Sequence, residues 1–92
     1  MTCTLEEKAM QRTTFNLSRG GCAIECEGMV SVGETMSLQI MVPGQERPIV
    51  VELGRICWAT RREFGVEFRV MPGDSKQRLD AFLIEVARRS AS

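Results

Sequence analysis

Asn16-Leu17-Ser18-Arg19-Gly20-Gly21, running directly into Cys22-Ala23-Ile24-Glu25-Cys26-Glu27, is the stretch from which the fold is read. In its second half the apolar side chains fall on alternate residues. Cys22, Ile24 and Cys26 share one face of an extended segment, and Glu25 and Glu27 share the other, the pattern of a strand with one face buried. In its first half two short polar side chains and two adjacent glycines break the alternation, which makes 16–21 a turn. A polar turn opening onto a half-buried strand points to a β protein, and the chain on either side agrees.

Downstream, Met36, Leu38, Ile40 and Val42 alternate with Ser37 and Gln39 until Pro43-Gly44 supplies a turn that leads to Arg47-Pro48. The return strand runs from Ile49 through Trp58, with Ile49, Val51 and Leu53 expected to face inward, Val50 and Glu52 outward, and Gly54 marking a bulge or bend. After the charged turn Thr60-Arg61-Arg62-Glu63, the residues Phe64, Val66 and Phe68 alternate with Gly65 and Glu67. Upstream, Thr2 to Leu5 and about Met10 to Phe15 read as strands joined by Glu6-Glu7-Lys8, in a segment whose composition also allows a helix. At the end of the chain the period changes. Leu79, Phe82, Leu83 and Val86 stand at i, i+3, i+4 and i+7, predicting a helix over about 75–88, with Asp74 and Gln77 as a capping box and Glu85–Arg89 as an i,i+4 pair. The expected architecture is mainly β: a small antiparallel six-stranded barrel carrying a C-terminal amphipathic helix.

Ninety-two residues make one small domain, taken as 1–92. Twelve basic and twelve acidic side chains cancel, so no global field draws the chain to duplex nucleic acid or to an anionic membrane, and any bound anion must be held locally. No apolar run approaches the ~18 residues of a spanning helix, and the N-terminus has no basic segment followed by an apolar one. The chain is therefore read as soluble and cytoplasmic, without membrane insertion, and its four cysteines as reduced thiols. Cys22 and Cys26, four residues apart on an extended strand, are separated by ~13 Å, too far to share a zinc or a disulfide. With no histidine in the chain, there is neither a Cys/His metal site nor an imidazole base. No catalytic residue, metal or cofactor is expected.

The turn at 16–21 has two readings. In the first, Asn16 and Ser18 bond to nearby backbone and the glycines provide positive φ. In the second, the same short polar groups and open backbone make a small concave set of donors and acceptors for a planar base edge or a phosphate, with Arg19 adding a planar cationic fork. Trp58, the single tryptophan, is expected in barrel packing with its indole N–H hydrogen-bonded.

Asn16, Ser18 and Gly21 match the (Asp/Asn)-x-Ser-x-x-Gly motif of PilZ domains. The order of features that follows also resembles that family: the strand from Cys22, the Val32-Gly33-Glu34 turn, the Val50 to Trp58 strand, Phe64-Gly65-Val66-Glu67-Phe68, and the final helix. The resemblance covers roughly residues 3–88. It implies a PilZ-like split β-barrel and, as ligand, the bacterial second messenger cyclic di-GMP, with Asn16, Ser18, Gly20 and Gly21 around a guanine and Arg19 and Arg12 nearby. Trp58 is a secondary candidate at the edge of that site. The family's second element, an Arg-x-x-x-Arg motif preceding this one, has no counterpart here; Lys8 and Arg12 have the spacing, but lie too close to Asn16, and lysine lacks the planar fork. Arg12, Arg19 and either Arg61 or Arg62 are expected to compensate in part. The resemblance further implies a protein partner or neighbouring domain and an output such as motility, exopolysaccharide production or biofilm formation. Two other readings remain: a PilZ-like module acting only through protein contacts, with Met29, Val30 and Val32 as candidate surface, and a small barrel binding single-stranded nucleic acid. The balanced charge, the absence of Tyr and the core positions of most Phe residues speak against the last.

Overall fold

The alternating segments form six antiparallel strands in the computed structural model, which describes residues 1–5, 10–28 and 30–90: β1 (Thr2–Leu5), β2 (Met10–Phe15), β3 (Gly21–Glu25), β4 (Thr35–Met41), β5 (Ile49–Ala59) and β6 (Glu63–Val70), followed by the helix α1 (Gly73–Ser90). Lys8, the Glu6-Glu7-Lys8 connection and Met29 lie outside the described residues. The strands close into a barrel in the order β1-β2-β3-β6-β5-β4, β1 completing the circle by pairing Thr2 with Met41 and Leu5 with Leu38. Every strand thus has a neighbour on both sides, which removes the free edges of an open sheet.

Inward-facing residues fill the barrel as the alternation requires. Ile24, Leu38, Ile40, Ile49, Val51 and Ile56 are fully buried, and Phe64, Val66 and Cys3 nearly so. Cys22 is buried as well, and burial together with the neighbouring Cys3 thiol pushes its thiol up to about 12, so it sits in the core as a neutral, unreactive group. All four cysteines are free thiols. The turns are those the sequence suggests: Gln45 N–H donates to Val42 O at 3.3 Å around Pro43-Gly44, with Gly44 at φ 85°, a type II turn with proline and glycine in their preferred places. At the β5–β6 turn the Thr60 hydroxyl accepts from the N–H groups of Arg62 and Glu63, at 3.2 and 3.1 Å.

Strand β5 departs from simple alternation twice. Around Leu53 its register with both neighbours shifts: against β4, Val51 pairs with Leu38 but Gly54 with Met36, against β6, Leu53 pairs with Val70 but Gly54 with Phe68, and the Ser37 hydroxyl donates to the Glu52 carbonyl at 2.7 Å. The parity change corrects the expectation for Leu53, which faces outward and is 38% exposed, while Gly54 takes the inward place. Only glycine fits there, since a Cβ would stand 2.6 Å from Val66 Cγ1. The second bulge lies between Ile56 and Trp58, where Cys57 is the extra residue. Ile56 points in, so Cys57 and Trp58 both face out. Trp58 packs against the outer wall of the barrel, over Gly65, and not in its interior.

Helix α1 starts two residues before the expected position. Lys76 N–H already donates to Pro72 O, which puts Asp74 inside the first turn, where its carboxylate pairs with Arg78 Nε at 3.1 Å instead of forming the expected capping box with Gln77. Arg78 and Ser75 fasten the helix to the end of the β4–β5 hairpin. Arg78 donates to the carbonyls of Arg47 and Pro48, both at 2.9 Å, and the fully buried Ser75 hydroxyl accepts the Val50 N–H at 2.9 Å. Leu79 is buried against the barrel, with Phe82 and Leu83 packed beside it. Val86, expected on the buried face, is 43% exposed because the helix continues past the barrel wall. The Glu85–Arg89 pair forms, at 3.4 Å.

Candidate functional site

Strand β2 ends at Phe15, and Asn16 turns the chain in the left-handed region at φ 51°, a conformation asparagine tolerates better than most residues. The asparagine itself, not Gly20 or Gly21, supplies the positive φ of this turn. Ser18 then closes it, with both its N–H and its hydroxyl donating to the Gly21 carbonyl, at 2.9 and 3.3 Å. The Gly20 carbonyl accepts Phe68 N–H at 2.8 Å and joins the turn to β6. Gly21 is required for a steric reason, because a Cβ there would run into the carbonyl oxygen of Val66 on the adjacent strand.

The outward row of residues on β3, β6 and β5 has almost no side chains at this level. Ala23 pairs with Gly65, and Gly65 with Trp58. A Cβ on Gly65 would collide with the Trp58 indole, so the ring lies flat across the glycine, half-exposed. Ala23, between the inward-facing Cys22 and Ile24, is buried all the same and is therefore covered from outside. The result is a cleft of about 380 Å³ lined by Asn16, Ser18 and Gly20 beyond the end of β2, by Gly21 and Ala23 on β3, by Gly65 and Glu67 on β6 and by Cys57 and Trp58 on β5, with the indole lying over Gly65. The Cys57 thiol, which is exposed, donates to Gly65 O at 3.5 Å.

The structure thus brings together Asn16, Ser18, Gly20, Gly21 and Trp58, but it separates the arginines from them. Arg19 lies over a neighbouring hollow of about 330 Å³, where its Nε pairs with Asp80 Oδ1 of α1 at 3.0 Å. Arg69 and Lys76 line the same hollow, so three cations face one carboxylate there. Arg69 also reaches back to Glu67 Oε1 at 2.9 Å, linking hollow and cleft. Arg12 and Arg62 line a third hollow, of about 460 Å³, together with Glu25, Glu27 and Glu63. Three carboxylates against two guanidinium groups make that place unsuited to a phosphate. Cys57, Glu67, Arg69 and Asp80 escape a reading of the sequence. Only Glu67 leaves a trace, on the outward face of a recognisable strand, whereas Cys57 joins the cleft through a bulge and Arg69 and Asp80 through tertiary packing.

Among the described residues no helix is long and apolar enough to cross a membrane, and no group of three or more acidic or cysteine side chains is placed to hold a metal. The model of the PilZ domain family matches residues 1–85 of the chain. No curated protein sequence matches it. Among solved structures, that of the Bacillus subtilis inhibitor of motility MotI/DgrA is similar in fold, with a TM-score of 0.78 at 20% sequence identity; the match covers 96% of this chain and 46% of that one, so the chain spans about half the length of that protein.

Proposed function

Because the chain belongs to the PilZ domain family, we propose that it is a non-enzymatic receptor domain for cyclic di-GMP in bacterial second-messenger signalling, working in the cytoplasm. The observation that carries this reading is the cleft itself: the motif residues Asn16 and Ser18 line it together with the half-exposed Trp58 indole, which lies over Gly65 and leaves its other face open. A flat heterocycle can stack on that open face, with its edge toward the amide and hydroxyl. The volume is at the low end for small-molecule sites and suits one base of a dinucleotide. The phosphates then lie over the adjoining hollow, where Arg19, Arg69 and Lys76 supply positive charge in place of an Arg-x-x-x-Arg motif. Arg12 has no part in this arrangement, and the partial compensation expected of it with Arg62 falls instead to Arg69 and Lys76. The guanidinium groups of Arg19 and Arg69 already pair with Asp80 and Glu67, so a phosphate must compete for them and binding is weak.

Titration calorimetry with cyclic di-GMP on the 92-residue chain tests the reading, with Asn16→Ala and Ser18→Ala as site controls and quenching of Trp58 fluorescence as a second signal. We expect micromolar binding that both substitutions weaken. No heat at high micromolar ligand, or binding that both substitutions leave untouched, refutes it. A second reading, a module acting through protein contacts alone, is favoured by one observation. Leu53 and Val70 pair across β5–β6 and are both exposed, 38% and 45%, forming an outward apolar patch. A specific protein partner captured equally well by the Asn16→Ala variant, in the absence of nucleotide, would decide for it. In either case the output, whether motility, exopolysaccharide or biofilm, is delivered through a partner protein or a neighbouring domain.

A further inference from the structure

We propose that Asp80 on α1 is a built-in competitor for Arg19, so that a phosphate-bearing ligand in the cleft exchanges the Arg19–Asp80 ion pair for an Arg19–phosphate pair and frees the motif turn from the helix. The proposal rests on the nucleotide reading of the cleft and adds a control to it. Arg19 stands between Ser18 and Gly20, both of which line the cleft, so its backbone is already at the rim. Only its side chain is turned away, over the neighbouring hollow to Asp80, 3.0 Å distant. The arginine side chain is 72% exposed and that of Asp80 48%, so no packing locks the guanidinium in this direction.

The groups around the pair set the balance. Arg69 and Lys76 line the same hollow, and among the described residues Asp80 is the only carboxylate that does. Asp80 thus neutralises Arg19, as Glu67 neutralises Arg69, in the place where a phosphate would otherwise do so. A carboxylate and a phosphate compete for the same fork of N–H donors. An exposed pair of this kind contributes little, so a phosphate held in place by a base already in the cleft displaces it, whereas a buried pair would resist. The helix meanwhile stays attached through Arg78 and Ser75 at the β4–β5 end. The exchange loosens α1 from the motif turn without detaching it from the barrel, and so links occupancy of the cleft to the seating of the helix.

Calorimetry with cyclic di-GMP on the wild-type chain, Arg19→Ala, Asp80→Asn and the double variant tests this, with circular dichroism confirming that each is folded. Removing the competitor is expected to tighten binding about two- to fivefold, the range of an exposed ion pair. Arg19→Ala should weaken binding, and in its background Asp80→Asn should have no effect. An Asp80→Asn variant with unchanged or weaker affinity overturns the proposal, and so does a gain that persists without Arg19, which would mark a general charge effect. Binding that needs Asn16 and Ser18 but ignores Asp80 leaves the site reading standing and removes only this one. Absence of binding by all four proteins removes both.

Discussion

Two adjacent glycines of the motif turn should respond to the same substitution in opposite ways. At Gly20 an added Cβ meets nothing within 4 Å, and at Gly21 it meets the Val66 carbonyl oxygen, with the Val66 carbonyl carbon 3.3 Å away and Glu67 Cα 3.5 Å away. All three are backbone atoms of β6, paired with β3 through Gly21–Glu67 and Cys22–Val66, so no side chain can swing aside to relieve the collision. Gly21→Ala must push the two strands apart. Overpacking of this kind costs about 1–3 kcal/mol, and the loss of one or two ladder hydrogen bonds adds roughly 1 kcal/mol each, which gives about 2–5 kcal/mol in all. Against the ~5–14 kcal/mol typical of a domain this size, that is a large fraction. Gly20→Ala, in open space and without a positive φ, should stay within about 0.5 kcal/mol of wild type. Urea unfolding followed by Trp58 fluorescence and by circular dichroism measures both. A Gly21→Ala protein as stable as wild type, or a Gly20→Ala protein as damaged as Gly21→Ala, would refute the argument that the motif's final glycine answers to strand packing before it answers to any ligand.

Ser75→Ala leaves the Val50 N–H without its acceptor under the helix and should lower the unfolding free energy by about 1–2 kcal/mol in the same urea assay; an unchanged midpoint would show that the helix is not held there. Cys22 sets a pH dependence. Its folded thiol is pushed up to about 12 while the unfolded one ionises near 9.0, so the thiol's contribution is complete below about pH 9 and is lost as the pH rises toward 12. Between pH 8 and pH 10 this amounts to roughly 1 kcal/mol of lost stability. Cys22→Ala should flatten that decline whatever its baseline stability, and an equally steep decline in the variant would exclude Cys22 as its source.

Most of the barrel can be read from alternation because one buried face per strand imposes a period of two, and the type II turn at Pro43-Gly44 because proline and glycine each admit few conformations. Bulges are where this reading fails. Gly54 announces a bend, but the parity change that turns Leu53 outward depends on how many residues β4 and β6 place opposite it, and that number is a property of three strands together. The same applies to Trp58: its neighbour Cys57 is the extra residue, and nothing in Ile56-Cys57-Trp58 says so. The motif residues Asn16, Ser18, Gly20 and Gly21 are contiguous, so their meeting follows from the turn itself. The arginines are another matter, since a guanidinium lies some 6 Å from its own Cα and its direction is chosen by the nearest carboxylate. Asp80 lies on the helix, sixty-one residues beyond Arg19, and makes that choice.

The strand order also divides the barrel into two meanders, β1-β2-β3 and β4-β5-β6, each held by contacts between sequence neighbours and joined along two seams. One seam pairs β1 with β4 and the other β3 with β6, bringing together residues as distant in sequence as Gly21 and Glu67. Pairings of such long range form late in folding, after the local hairpins, because the loop entropy they consume is recovered only on closure. The cleft straddles the second seam, with Gly21 and Ala23 from one half and Gly65 and Glu67 from the other. It therefore comes into existence only when the two halves dock. A ligand lodged in it bridges one of the two long-range seams and should act on the unfolding rate more than on the folding rate.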